Sequence, residues 1–252
     1  MMAFMDPVLY QLPANDGIRT SFHHYQQPGR DTAMVICHGF FKSKETATFT
    51  RMSQAFAEQQ DVICMDFRGH GTSSGLFTFS AKEDAELGAV LEWARARYRC
   101  LHVMGFSLGG AIAINTVSRQ RAGVEALIAV SAPAAFEEIE FKFWTPEAIR
   151  RGVQGLEPGA GCRPGNPFMK KQRPVDAIAR IEGIPQLFIH GTHDVIVGVR
   201  HSRRLFAAAK EPKWLEIIQG GSHAEALFRD DPGRFVQLVT SWQATAKGGN
   251  HG

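Results

Sequence analysis

A chain of 252 residues with 44% hydrophobic and 21% charged content can bury one substantial core and lacks the composition of long disorder, so a single domain over residues 1–252 is expected. The net charge of +3 is small and scattered, and no Lys/Arg block resembles a phosphate-binding arm, which argues against a nucleic-acid partner. The opening MMAFMDPVLY has no basic n-region or continuous apolar run, and Cys37, Cys64, Cys100 and Cys162 form no CxxC pair. A reduced, cytoplasmic protein without a structural metal is the expectation.

The first elements are VLYQL and IRTSFHHYQ, polar and alternating, joined through PANDG. They predict an antiparallel pair at a sheet edge. AMVIC (33–37) is then a short apolar strand, TFTRMSQAFAEQQ a helix, and DVICMD (61–66) a strand. AKEDAELGAVLEWARARY repeats Leu87, Val90, Leu91 and Ala94 at helical spacing, which predicts one buried helix face. LHVMGF (101–106) reads as a strand, GGAIAINTVSRQ as a helix, and ALIAVS (126–131) as a strand. QLFIH (186–190) and WLEIIQ (214–219) are the last strands, with the helix VGVRHSRRLFAAAK between them. The tail AKGGNHG reads as frayed.

Near-continuous apolar strands alternating with helices predict an α/β fold with a mostly parallel sheet covered on both faces. The uncharged run from Cys100 to Ser118 is long enough for a membrane span. It carries His102, Ser107, Asn115, Thr116 and three glycines, too many polar and helix-weakening residues for a bilayer segment. Residues 132–185 break the rhythm: proline-rich and glycine-rich, they are too long for a crossover and read as an inserted cap or excursion.

Ligands of such sheets gather at the carboxyl ends of the strands, so the residues just past each strand are the functional candidates. After LHVMGF comes GFSLG, in which Gly105 and Gly109 remove side chains that would obstruct a sharp strand-to-helix turn at Ser107. By itself this pentapeptide is equally a structural turn. The run CHGFF, after a strand expected beside that of Ser107, offers the Phe40 N–H, and the start of the next helix offers that of Leu108. Two such donors would make an oxyanion hole, each worth about 3–4 kcal/mol in a transition state; a plain glycine turn is the alternative. QLFIHGTHDVIV places Asp194 past one strand, and WLEIIQGGSHAEAL places His223 past the last. Ser107, Asp194, His223 is the order nucleophile, acid, base.

With DFRGHGTSSG after the strand DVICMD, these motifs together resemble the α/β-hydrolase superfamily over essentially the whole chain. The chain is most similar to small carboxylesterases of the feruloyl-esterase and monoacylglycerol-lipase type. The resemblance implies a serine hydrolase that cleaves acyl or aryl esters through an acyl-enzyme on Ser107 and needs no cofactor. An amidase, thioesterase or acyltransferase would use the same residues, and a non-catalytic ligand-binding protein on this fold is the reading from another class. Ser107 at the elbow disfavours the aspartate-nucleophile branches.

Rivals for these roles are His38 and His70, expected as hydrogen-bonding loop residues, and Glu137 and Glu138, expected as a solvated face. His190, His193 and Asp194 have the spacing H-x-x-H-D without a recognisable partner cluster, so no metal is expected. Eighteen phenylalanines against three tyrosines leave two readings open for Phe40, Phe41, Phe77, Phe79, Phe141, Phe143 and Trp144: an apolar substrate pocket or ordinary core. Phe41, Phe143 and Trp144 are the candidate substrate contacts. FMKKQR and Arg150–Arg151 make the excursion basic, which is expected as a solvated face. No membrane span is expected, and a homodimer is left open.

Overall fold

The computed structural model describes residues 6–140 and 157–248. In those residues one sheet holds eight strands: β1 (Val8–Pro13), β2 (Arg19–Tyr25), β3 (Thr32–Cys37), β4 (Asp61–Asp66), β5 (Cys100–Phe106), β6 (Val124–Val130), β7 (Gln186–Gly191) and β8 (Lys213–Ile218). Their order is β1-β2-β4-β3-β5-β6-β7-β8. From β4 to β8 every neighbouring pair is parallel, whereas β2 runs against both β1 and β4. The two polar strands are the antiparallel edge predicted for them, with β1 outermost.

The helices are α1 (Ala47–Ala57), α2 (Asp84–Arg95), α3 (Leu108–Val117), α4 (Pro174–Ile178), α5 (Arg200–Ala208), α6 (Ala226–Asp230) and α7 (Pro232–Gly248). Because successive strand residues point to opposite faces, the apolar runs feed two cores. Met34, Ile36, Val62, Cys64 and Met104 pack with Phe49, Met52 and Phe56 of α1 and with Phe235, Val239 and Trp242 of α7. Val35, Cys37, Ile63, Met65 and Val103 pack with Leu87, Val90 and Leu91 of α2 and Ile112 and Ile114 of α3. All ten residues of α3 are buried, as its apolar, uncharged sequence requires.

Two differences from the sequence expectation have physical causes. Helix α7 reaches Gly248, so the tail expected to fray begins inside a helix. Its buried stripe Phe235, Val239, Trp242 and Ala246 recurs at helical spacing and holds it on the sheet, Phe235 meeting Phe56 at 6.5 Å and Trp242 meeting Trp214 at 5.7 Å between ring centroids. Helices α4 and α6 are five residues each, too short to show a period in sequence.

The described end of the excursion lies along the loops after β3 and β4. Gly161 N–H donates to Phe41 O at 3.2 Å and Phe77 N–H to Arg163 O at 2.9 Å. The Arg163 guanidinium reaches the carbonyls of Gly71, Ser73 and Gly75. Val175 N–H then bonds Ala134 O, returning the chain to the end of β6.

Burial, above all, lowers the affinity of His23, His24, His38, His70 and His201 for a proton below the ordinary 6.5. A histidine held neutral in the fold binds a proton more readily when unfolded, so its contribution to stability is complete above that ordinary value and is lost as the pH falls below it. Urea midpoints measured from about pH 8 down to about pH 5 are therefore expected to fall before the carboxylates titrate. A flat profile over that window would contradict the neutral assignment.

Candidate active site

At the end of β5 the chain turns straight into α3, and the turn falls on Ser107 at φ 51° and ψ −121°. A left-handed φ on a non-glycine residue is strained, and close packing holds it there. A Cβ on Gly105 would lie 2.5 Å from Gly109 O, and one on Gly109 would lie 2.3 Å from His38 O. Neither position has room for a side chain, so the helix start sits against the strand end and the loop after β3. Ser107 N–H continues the ladder by donating to Val130 O at 2.9 Å.

Two other strand ends converge on this serine. His223, past β8, has Nε2 2.9 Å from Ser107 Oγ and Nδ1 2.7 Å from Asp194 Oδ2. Asp194, past β7, accepts at Oδ1 from the N–H groups of Ile196 and Val197 at 3.0 and 2.9 Å. Burial by itself would raise the Asp194 pKa, but hydrogen bonds from His190, His223 and the Val197 amide, together with the His223 charge, outweigh it and hold this carboxyl well below the usual carboxylate range. An ionised acid on Nδ1 orients the imidazole so that its other nitrogen can accept a proton from the serine.

The loop after β3 flanks Ser107 from the strand expected to lie beside β5, and β3 and β5 are indeed neighbours. Its Gly39, next to Phe40, packs on the elbow, where a Cβ would lie 3.1 Å from that of Ser107, and Leu108 opens α3 at 3% exposed. The opening amides of a helix have no acceptor within it. Phe41 comes next at φ 62°, its carbonyl held by Gly161 of the excursion.

The loop DFRGHGTSSG holds this region from behind. Asp66 accepts from Lys44 N at 2.7 Å, Lys44 Nζ at 2.7 Å and Thr72 N at 3.1 Å, and both charged side chains are fully buried. His38 Nδ1–H donates to Gly39 O at 2.7 Å, while its Nε2 accepts from Phe67 N–H at 3.2 Å. Arg68 pairs with buried Glu86 and with Asp16. His70 donates from Nδ1 to Arg68 O at 3.1 Å. His38 and His70 are thus loop-building residues, as expected.

Other candidates separate in space. His190 is buried, with Nδ1 2.6 Å from Ser202 Oγ and Nε2 2.6 Å from Val197 O and 3.2 Å from Asp194 Oδ2. It supports the Asp194 carboxylate, a role its H-x-x-H-D spacing did not reveal. Glu137 and Glu138 sit in a short 3-10 turn, where Arg173 pairs with both and Arg204 with Glu138. The described basic residues of the excursion are partly engaged: Lys171 Nζ bonds Met169 O at 2.9 Å and lies 4.5 Å over the Phe136 ring. Phe77 and Phe79 are 1% and 4% exposed and pack at 5.7 and 5.4 Å against the Phe40 ring. For those two the core reading holds. Phe40 and Phe41 remain half-buried, while Phe141, Phe143, Trp144, Arg150 and Arg151 lie outside the described residues.

Ser131 is a second residue that pattern reading passed over. Its hydroxyl, fully buried at the end of β6, accepts from Ala224 N–H at 3.0 Å and anchors the loop that carries His223. Its positive φ of 49° is a feature no sequence motif displays. Among the described residues no helix is long and apolar enough to cross a membrane, and no three His, Cys, Asp or Glu side chains are grouped so that they could hold a metal ion.

The family model for the alpha/beta hydrolase fold matches residues 32–148, the span from β3 past β6. The uncharacterized protein YfhR of Escherichia coli K12 is 29% identical over 170 residues, 66% of this chain and 54% of that protein, so the chain spans about half the length of this curated relative. Solved structures share the fold at low identity. An esterase of Pyrococcus furiosus superposes with a TM-score of 0.77 at 19% identity, covering 96% of this chain and 91% of the other. An esterase of Rhodococcus does so with a TM-score of 0.77 at 19% identity, covering 94% and 99%. Strand order, the turn at Ser107 and these likenesses agree: the chain has the α/β-hydrolase fold.

Proposed function

We propose that this protein is a serine hydrolase that cleaves carboxylic esters of the acyl or aryl type through an acyl-enzyme on Ser107, with no cofactor. The observation that carries the reading is the continuous hydrogen-bonded chain from Ser107 Oγ through His223 to Asp194, at 2.9 and 2.7 Å. His223 Nε2 takes the hydroxyl proton as Oγ bonds to the carbonyl carbon, and Asp194 stabilises the imidazolium. The carbonyl oxygen gains charge and is received by the N–H groups of Phe40 and Leu108. His223 returns the proton to the departing alcohol oxygen as the ester C–O bond breaks, leaving the acyl group on Oγ. Water then attacks the acyl carbon, giving its proton to His223, which passes it back to Oγ as the acid leaves. Phe41, Phe143 and Trp144 are proposed to contact the acyl or aryl group. The esterases among its structural neighbours and the half-buried Phe40 and Phe41 beside the elbow favour an apolar ester.

A fluorophosphonate probe is expected to add once to the protein, on Ser107, as read by intact mass, and Ser107→Ala should abolish the adduct with the fold retained. Labelling of the alanine variant would move the nucleophile elsewhere. Labelling of the parent without turnover of a short p-nitrophenyl ester would instead favour an amide, a thioester or a ligand-binding role.

His223→Ala is expected to lower kcat for such an ester by about four orders of magnitude, with Asp194→Asn somewhat milder, and the double variant should be little worse than His223→Ala because the three residues act as a unit. Multiplicative losses in steady-state kinetics would show that Asp194 acts through folding alone.

The depressed pKa of Asp194 also has a thermodynamic consequence. Its folded value lies below the ordinary 3.8, so the stability it contributes is present above that value and is lost as the pH falls below it toward the folded value. Asp194→Asn should therefore show a shallower loss of melting temperature than the parent on acidification below about pH 4. Parallel acid limbs would mean that the carboxylate is not held ionised by the fold.

A further inference from the structure

Two loops must be held in fixed relation if the serine mechanism is to work. The loop after β3 carries the oxyanion donor Phe40, and the loop after β8 carries the base His223. They come from strands separated in the sheet by β5, β6 and β7, so no strand pairing joins them directly. Each contains a residue with positive φ next to its functional group, Phe41 at 62° and Ala224 at 50°. Strained loop positions of this kind persist only where surrounding contacts over-determine them.

The contact that bridges the gap is ionic. Lys42, two positions beyond Phe40, places Nζ 3.3 Å from Oε1 of Glu225, two positions beyond His223. The side chains are 16% and 12% exposed, sheltered enough to escape most of the screening that makes surface ion pairs weak. Lys42 Nζ is also 3.6 Å from Oε1 of Glu157, whose carboxylate is already engaged by the N–H and hydroxyl of Thr48 at the start of α1. The single cation therefore sits between the loop of the base and the described end of the excursion.

We propose that Lys42 and Glu225 form a positioning pair that sets the distance between the Phe40 oxyanion donor and the His223 base. The inference rests on the serine-hydrolase reading above and names a part of that site which touches neither substrate nor the reacting atoms. Ser131 anchors the His223 loop from the sheet side through Ala224 N–H, and Lys42 anchors it from the side of the oxyanion loop. Without the bridge, each loop keeps its own fold but the two can drift apart. Misplacement by about 1 Å can cost on the order of 100-fold in rate, so loss of one tether among several should cost about tenfold.

The test uses the full chain and a p-nitrophenyl acetate assay, alongside the rate at which fluorophosphonate labels Ser107. Lys42→Met and Glu225→Gln should each lower kcat and the labelling rate about tenfold with KM changed less than about twofold, and the double variant should be no worse than the poorer single one. Lys42→Arg, which keeps charge and reach, should restore most of the loss, and Glu157→Gln should stay within about twofold of the parent in kcat. If Lys42→Met does not fold, Glu225→Gln, nearly isosteric, carries the comparison against the double variant Lys42→Arg/Glu225→Gln, which should be no slower. Variants that label and turn over like the parent, or losses that multiply in the double variant, overturn the pair while leaving the hydrolase reading standing. A parent protein in which Ser107 is neither labelled nor required for turnover overturns both.

Discussion

Turning a buried parallel strand directly into a buried helix leaves Ser107 at φ 51° and ψ −121°, and much of the molecule is arranged so that this backbone can exist. The strain is of the kind that costs about 1–3 kcal/mol at a single residue. It is held by the ladder bond from Ser107 N–H to Val130 O, by the close approach of α3 to the strand end, and by the burial of every residue of α3 between sheet and helices. A turn that could relax would drop the hydroxyl back into the core. A turn that cannot relax presents it to the loops at the carboxyl ends of β3, β7 and β8, where His223 Nε2 meets it at 2.9 Å.

The loops that meet the serine are ordered by charge as much as by apolar packing. Lys44 and Asp66 are wholly buried, and the carboxylate receives two backbone amides besides the ammonium. Taking both charges out of water is costly, and such a pair is sustained only where the remaining acceptor sites are satisfied. What it supplies is registry. Lys44 belongs to the loop after β3, Asp66 ends β4, and Thr72 belongs to the loop after β4. Arg68 extends the arrangement to Glu86 of α2 and Asp16 of the first hairpin. Apolar contacts cannot fix a loop to a few tenths of an ångström, since they are non-directional, whereas fork-like and charge-assisted hydrogen bonds can.

The aromatic residues divide along the same line. Phe77 and Phe79 are buried beneath Phe40 and give it a rigid floor, and Phe49 packs edge-on against Phe106 beneath the elbow at 5.4 Å. Rigid rings under a loop restrict its motion without presenting polar groups that need partners. The described end of the excursion adds backbone hydrogen bonds over the same loops, at Phe41 and Phe77. The loop of the proposed oxyanion donor is thus held by aromatic packing and by backbone hydrogen bonds from the excursion.

The alternation of apolar strands and helices, the antiparallel edge pair, the elbow at Ser107 and the order Ser107, Asp194, His223 were all legible in the residues, because each is written in local spacing: a period, a turn composition, or a group placed just past a strand. Helix α7 is legible in principle through the helical spacing of Phe235, Val239, Trp242 and Ala246, although no element is expected there and only its last residues fall in the tail AKGGNHG that reads as frayed. What no local pattern contains is which distant side chains share a hydrogen bond. That His190 steadies Asp194, that Ser131 anchors the loop of His223, and that Lys42 reaches Glu225 depend on strand order and loop path. Residues far apart in the chain are brought within 3–4 Å only by the order of the strands and the paths of the loops that follow them, so tertiary structure alone could decide them. The same holds for Phe77 and Phe79, whose aromatic character suits a pocket or a core equally and whose burial settled the matter.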